Sequence, residues 1–208
     1  MKKGCFITFE GVDGSGKSTQ IEKLKSYLEE QGHQVLLTRE PGGTPISETI
    51  RQIILDPKNC EMTALTEAML YAASRAQLVA EVIKPAIEQG KIVICDRFVD
   101  SSIAYQAYGR NLGEAVEQIN QYAVAGCMPD LTILMRVRPQ IGTERIEDRE
   151  KDRIEMEQQS FHDAVYRGYE ELAQNNPQRI VTVDASRSIE EIYDDVIHAV
   201  EARLFPAG

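Results

Sequence analysis

The chain has 208 residues, 42% of them hydrophobic and 27% charged, the make-up of one ordinary globular domain able to bury a core. Lys and Arg number 23 against 33 Asp and Glu, a formal charge of −10, which argues against wrapping a nucleic-acid backbone but permits a small phosphate ligand at a local positive site. No apolar run approaches the ~18–20 residues of a membrane span, and the opening MKKGCFITFE is too short in apolar residues for a secretory signal. Cys5, Cys60, Cys95 and Cys127 form no CxxC pair or Cys/His cluster, so neither zinc nor a disulfide framework is expected. Cys5 and Cys95 read as buried thiols, and a reducing cytoplasm is the expected compartment.

In chain order, CFITFE (5–10) reads as the first strand. Ile21, Leu24 and Leu28 then recur at helical spacing across 18–31, with Gly32 as the stop. QVLLT (34–38) is the second strand, and the Gly/Pro loop REPGGTP leads to a helix near 46–55. Residues 64–89 read as one or two helices, with a break expected at Pro85. KIVIC (91–95), LTILMRV (131–137) and RIVTVD (179–184) are three more strands. Helices are expected at roughly 113–125, 139–148, 157–175 and 188–203; the last turns Ile192, Val196 and Val200 to one face for packing on a sheet. Continuously apolar strands separated by helices predict an α/β domain with a five-stranded parallel sheet covered on both faces. In such sheets ligands bind beyond the carboxyl ends of the strands. The stretches 11–18, 39–44 and 96–106 all follow strands.

The first of these is chemically explicit. Gly11, Val12, Asp13, Gly14, Ser15, Gly16, Lys17 and Ser18 match G-x-x-x-x-G-K-[ST], and Thr19 continues into the helix. Glycines let backbone N–H groups turn toward phosphate oxygens, and the helix start adds its positive end. Lys17 supplies charge to the β- and γ-phosphates, and Ser18 a hydroxyl to magnesium. The pattern predicts a P-loop NTPase fold. The third strand ends in Asp96-Arg97. Asp96 can help hold hydrated magnesium, but Arg97 cannot activate water, so the phosphoryl acceptor is expected to be another phosphate. No N-K-x-D guanine signature occurs, which disfavours a GTPase switch. His33, His162 and His198 are isolated, and no catalytic role is assigned to them.

With TREPGGT (38–44), YAASRAQ (71–77), DRFVDSSIAYQ (96–106) and DRIEMEQQSFHDAVYRGY (152–169), the loop resembles the bacterial thymidylate kinase family over about Cys5–Leu204. The resemblance implies a single P-loop kinase domain over 1–208 that moves a phosphoryl group from ATP to dTMP with magnesium. It implies that Arg39 and Arg97 clasp the dTMP phosphate, with Arg51 in the same pocket. Tyr71 would stack on thymine, Arg75 would meet a base carbonyl, and Ser102 and Gln106 would meet the remaining base edge. Tyr105 would lie close to ribose C2′ and disfavour a ribonucleotide. Asp13 would face the acceptor sugar at its 3′-hydroxyl, which accounts for a carboxylate inside an anion-binding loop.

Some members of the family carry an arginine where this chain has Gly14. The transition-state arginine is then implied to come from a short helical lid, RIEDREKDRIE (145–155). On a continuous helix Arg145, Arg149 and Arg153 share one face. Arg149 and Arg153 would close over the triphosphate and Arg145 would lie near adenine. Such a mixed-charge run is otherwise a solvated helix face. Two departures from the family pattern are Arg136, where an acidic residue is common, and a lid one residue shorter. The family implies a homodimer. Two other readings stay open: a kinase of another nucleoside monophosphate, and a non-enzymatic P-loop switch that binds ATP and a partner.

Overall fold

Alternation along each apolar run decides which side of the sheet a residue covers. The computed structural model describes residues 4–145 and 152–205. The strands are β1 (Cys5–Glu10), β2 (Val35–Arg39), β3 (Ile92–Asp96), β4 (Leu131–Arg136) and β5 (Ile180–Asp184). They form one sheet in the order β2-β3-β1-β4-β5, and every adjacent pair is parallel. Ile7 and Phe9 point into one apolar cluster, while Phe6, just before them in the strand, points into another. Both faces are therefore buried, as the absence of polar alternation predicts.

Among the described residues the α-helices are α1 (Lys17–Glu30), α2 (Pro45–Leu55), α3 (Ala64–Leu78), α4 (Lys84–Glu88), α5 (Val99–Ser102), which runs on into a π-helical stretch Ile103–Gly109, α6 (Glu114–Val124), α7 (Pro139–Glu144), α8 (Gln159–Asn175) and α9 (Ile189–Leu204). Leu24 and Leu28 of α1, Val165 of α8 and Val196 of α9 fill the cluster on the Ile7 face. Leu78 of α3 and Val124 of α6 join Phe6 and Phe98 on the other. Thr44 caps α2 by accepting from the Ser47 N–H at 3.1 Å, and Ser188 with Glu191 forms a capping box on α9. Among the described residues no helix is long and apolar enough to cross a membrane.

Three expectations are corrected here. The helix over 64–89 does not break at Pro85: α3 widens into a π-helical turn, Val79–Ile83, and continues as α4. Pro85 then falls in the first turn of α4, where a missing N–H is tolerated. Cys5 is half-buried, whereas Cys95 is buried; all four cysteines are free thiols. Finally, 145–155 is not one helix face. Arg145 ends α7, residues 146–151 with Arg149 lie outside the described residues, and 152–157 are turns. The Asp152 carboxylate accepts from the N–H groups of Ile154 and Glu155, both at 2.9 Å. That local bond competes with helix formation.

The register carries the functional geometry. Phe9 of β1 and Arg39 of β2 both lie opposite Asp96 of β3. The three loops that follow these strands consequently open on one edge of the sheet, side by side.

Candidate active site

At that edge the phosphate loop turns from β1 into α1. Gly16 precedes α1 with φ +88°, a left-handed conformation that glycine adopts without a Cβ penalty. No side chain caps the helix start and no acidic residue lies in its first turn, so the helix start remains positive toward the cavity. A Cβ at Gly14 would overlap the Gly142 carbonyl, and one at Gly142 would overlap the Asp13 carbonyl. These two glycines let α7 lie directly against the loop, and an arginine at position 14 would not fit.

Lys17 is buried, and its ammonium donates to the Gly11 and Val12 carbonyls at 3.0 and 3.1 Å. Burial, with the nearby Arg97 charge, pulls its pKa down to about 8. Gly14, Ser15, Gly16, Lys17, Ser18 and Thr19 line a cavity of about 720 Å³, together with Asp13, Arg39, Asp96, Arg97 and Arg145. Asp96 Oδ1 is buried there with no hydrogen-bond partner among the described residues. A carboxylate oxygen and the Ser18 hydroxyl on one cavity wall suit a hard, oxygen-seeking divalent cation such as magnesium.

A second, smaller cavity of about 90 Å³ is lined by Tyr71, Ser101, Ser102, Tyr105, Gln106 and Ile154, among others. Asp13, Glu40, Arg51, Arg97 and Asp152 line both cavities. Arg97, on this shared wall, reaches partners on several sides. Its backbone has φ +68° and its N–H donates to the Phe9 carbonyl at 2.9 Å. A non-glycine residue in that region carries strain, and it persists because neighbours fix it. The guanidinium donates to Asp13 at 2.8 Å and to the Ser101 and Tyr169 hydroxyls at 3.2 Å each. It also lies over the Tyr105 ring, 5.1 Å from its centroid. Tyr105 in turn donates to Asp13 at 3.3 Å.

The remaining cations divide by what holds them. Arg39 is held by both oxygens of Glu48 at 3.0 Å and donates to the Pro41 carbonyl, which Arg51 shares. Burial lowers the Arg51 pKa, and the adjacent Arg39 charge adds to this. Arg145 is exposed and donates to the Gly14 and Ala185 carbonyls at 3.3 and 3.2 Å.

Two arginines are placed differently from the sequence expectation. Arg75 is 1% exposed and absent from the wall of either cavity. Its Nε and Nη2 donate to Glu40 at 2.8 and 2.5 Å, Nη1 to Ser102 and Asn120, and Nη2 also to the Phe98 carbonyl. That uses all five N–H groups of a guanidinium, leaving none for a base. Arg153, expected over the triphosphate, is buried instead. It donates to the Ile54 carbonyl and to Glu67, both at 2.7 Å, beneath the smaller cavity.

Buried carboxylates are what the sequence reading missed. Glu10 is fully buried and accepts from the Phe98 and Ser101 N–H groups and the Ser101 and Tyr169 hydroxyls. Burial pushes its pKa up to about 7. It thereby fixes the loop after β3 that carries Arg97. Glu40, pushed up to about 7 by burial against the pull of Arg75, has one oxygen on that arginine and the other without a partner among the described residues. Both acids end or follow a strand just before a Gly/Pro loop, which is the sequence signal that could have found them. Ala185 and Arg187, on the larger cavity's wall, carry no such signal.

A parallel sheet whose first strand feeds a phosphate loop, with a cation-lined second cavity alongside, defines a P-loop phosphotransferase. The family model for thymidylate kinase matches residues 9–196. A thymidylate kinase of Geobacillus sp. (strain WCH70) is 53% identical over 202 residues, covering 95% of this chain and 96% of its own. One from Symbiobacterium thermophilum is 50% identical, covering 96% and 94%. The solved structure of thymidylate kinase from Ehrlichia chaffeensis matches with a TM-score of 0.78 at 34% identity, covering 95% of this chain and 98% of that one. The chain belongs to the thymidylate kinase family.

The Arg75–Glu40 arrangement makes a stability prediction. Arg75→Met leaves Glu40 buried without its counter-charge, and unfolding in urea is expected to show a loss of about 3–5 kcal/mol. A loss below about 1 kcal/mol would show that Arg75 is not the scaffold described above.

Proposed function

We propose that the protein transfers the γ-phosphoryl group of ATP to dTMP, giving ADP and dTDP. The observation that carries this is Arg97, on the wall common to both cavities. A donor in the larger cavity and an acceptor in the smaller one would bring two polyanions together at this residue. Their repulsion is the chief obstacle to transfer, and a guanidinium fixed between them offsets it.

In this reading the N–H groups at the start of α1 hold the donor phosphates, and Lys17 leaves its loop carbonyls to neutralise the β- and γ-groups. Ser18 and Asp96 would hold magnesium, which supplies charge neutralisation across the phosphates when bound. Arg39, Arg51 and Arg97 bind the acceptor phosphate. Tyr71 stacks on the base, Tyr105 sits beneath the sugar, and Asp13 keeps Arg97 in place and accepts from the sugar 3′-hydroxyl. An acceptor phosphate oxygen attacks the γ-phosphorus in line, its bond forms as the β–γ bridge breaks, and ADP leaves. Arg145 borders the donor. Arg149 is the candidate transition-state arginine on resemblance alone, and Arg153 anchors the far root of the same segment.

A homodimer is proposed through the face made by α2, α3 and α6, which pack side by side. Ile46, Ile53, Leu65, Met69 and Tyr122 on these helices are 56%, 44%, 45%, 52% and 87% exposed. So much apolar surface on one side supports a protein partner, and a second copy is the family's pattern. The four free thiols suit a reducing cytoplasm.

Three outcomes follow. In an ADP-release assay with a panel of nucleoside monophosphates, dTMP is expected to stimulate turnover most, EDTA to abolish it, and Arg97→Ala to lower kcat at least about 100-fold. Stimulation by AMP, GMP or CMP instead would refute the assignment. Second, kcat/KM for ATP is expected to fall as pH rises through about 8, where Lys17 loses its proton and charge. Lys17→Arg should move that limb upward; an unmoved limb would assign it to another group. Third, light scattering is expected to give twice the chain mass, with Met69→Glu returning it toward one. A wild-type monomer at assay concentration would overturn the dimer.

A further inference from the structure

Glu67 is fully buried on α3 and touches neither cavity wall, yet four side-chain donors converge on it. Arg110 Nε lies 3.1 Å from Oε1 and Arg110 Nη2 lies 2.9 Å from Oε2. Arg153 Nη2 reaches Oε2 at 2.7 Å, and the Gln106 amide nitrogen reaches Oε1 at 2.9 Å. Burial alone would raise the Glu67 pKa, but bonds from Arg110, Gln106 and Arg153 overturn that and hold it below the usual carboxylate range. Glu67 is ionised, acceptor-only and pinned by two arginines.

An amide can present either its nitrogen or its oxygen to a pocket, and the choice is set by what lies behind it. Behind Gln106 lies a carboxylate that only accepts. The Gln106 nitrogen must face Glu67, and the amide oxygen, which accepts nothing from the described residues, is open to the smaller cavity. Ser102, on the same wall, accepts from Arg75 at 3.0 Å, which leaves its own hydroxyl hydrogen for another acceptor. The wall therefore offers one acceptor beside one donor. Thymine and uracil present the complement, an N3–H donor beside the O4 acceptor. Cytosine presents the reverse, an N3 acceptor beside an amino donor.

Resting on the cavity assignment above, we infer that Glu67 is a positioning residue for acceptor specificity: it locks the Gln106 carboxamide in the orientation that accepts from N3–H. It acts through Gln106 and touches no substrate. A site built around one hydrogen-bonding pattern rejects the reversed pattern strongly, because buried polar groups are then left unpaired.

The test compares kcat/KM for dTMP with kcat/KM for dCMP in wild type, Glu67→Gln and Glu67→Asp, with KM for ATP and Tm measured alongside. The neutral amide in Glu67→Gln can donate as well as accept, so Gln106 is free to flip. The dTMP:dCMP ratio is expected to fall at least about tenfold, with KM for ATP within about twofold of wild type. Glu67→Gln also strips two buried arginines of their partner and can fail to fold. Glu67→Asp keeps the charge, withdraws the carboxylate from Gln106, and decides on the same ratio. In a Gln106→Leu background, adding Glu67→Asp should leave the ratio unchanged, since the effect passes through that amide. A ratio that stays at the wild-type value in both single variants, whatever the common loss in rate, overturns the inference. A wild type that does not phosphorylate dTMP refutes the cavity assignment instead, so the two failures are distinguishable.

Discussion

Everything at the site depends on holding one guanidinium, that of Arg97, on the wall between two cavities. The parallel register brings the ends of β1 and β3 together, and Arg97 emerges there in a strained left-handed conformation. Asp13 reaches it from the phosphate loop, and Ser101 and Tyr169 from the opposite side. Glu10, buried beneath, fixes Ser101 and Tyr169 in turn. The result is a cation whose position is set by four groups from three separate segments, before any phosphate arrives. A loosely tethered lysine would carry the same charge but would have to be ordered during the reaction.

The same logic, cations restrained by buried acids, recurs around the smaller cavity. Glu40 accepts from Nε and Nη2 of Arg75, and Glu67 gathers Arg110, Arg153 and Gln106. Removing two charges from water is expensive unless geometry and hydrogen bonding compensate. These acids therefore do more than neutralise: they spend their lone pairs fixing which atoms face the cavity. Arg153 and Glu157, from the segment after the undescribed stretch, join the Glu67–Arg110 cluster. Gln106 on the wall of the smaller cavity and the root of the expected lid thus share one carboxylate.

Much of this architecture is legible in one dimension. Strand runs such as CFITFE and KIVIC are continuously apolar because both sheet faces are covered, and GVDGSGKS needs its glycines whatever surrounds it. The likeness to thymidylate kinases picked out Arg39, Arg51, Tyr71, Arg97, Ser102, Tyr105 and Gln106, and all of them line the two cavities. Arg75 and Arg153 match the same motifs, yet the structure turns both inward. Pro85 shows a milder version of the same limit: its local helix-breaking tendency is absorbed by a π-helical turn that the neighbouring sheet holds in place.

The sequence by itself determined what depends on neighbours along the chain: strands, helices, the phosphate loop and the supply of arginines beside it. Only the tertiary structure decided which arginines keep free donors. That depends on partners far away in the chain, such as Glu40 and Asn120 for Arg75 and Glu67 for Arg153. A charged side chain in a motif looks the same in sequence whether it faces a ligand or a buried carboxylate. The difference is made by desolvation and pairing, which exist only once the chain has folded.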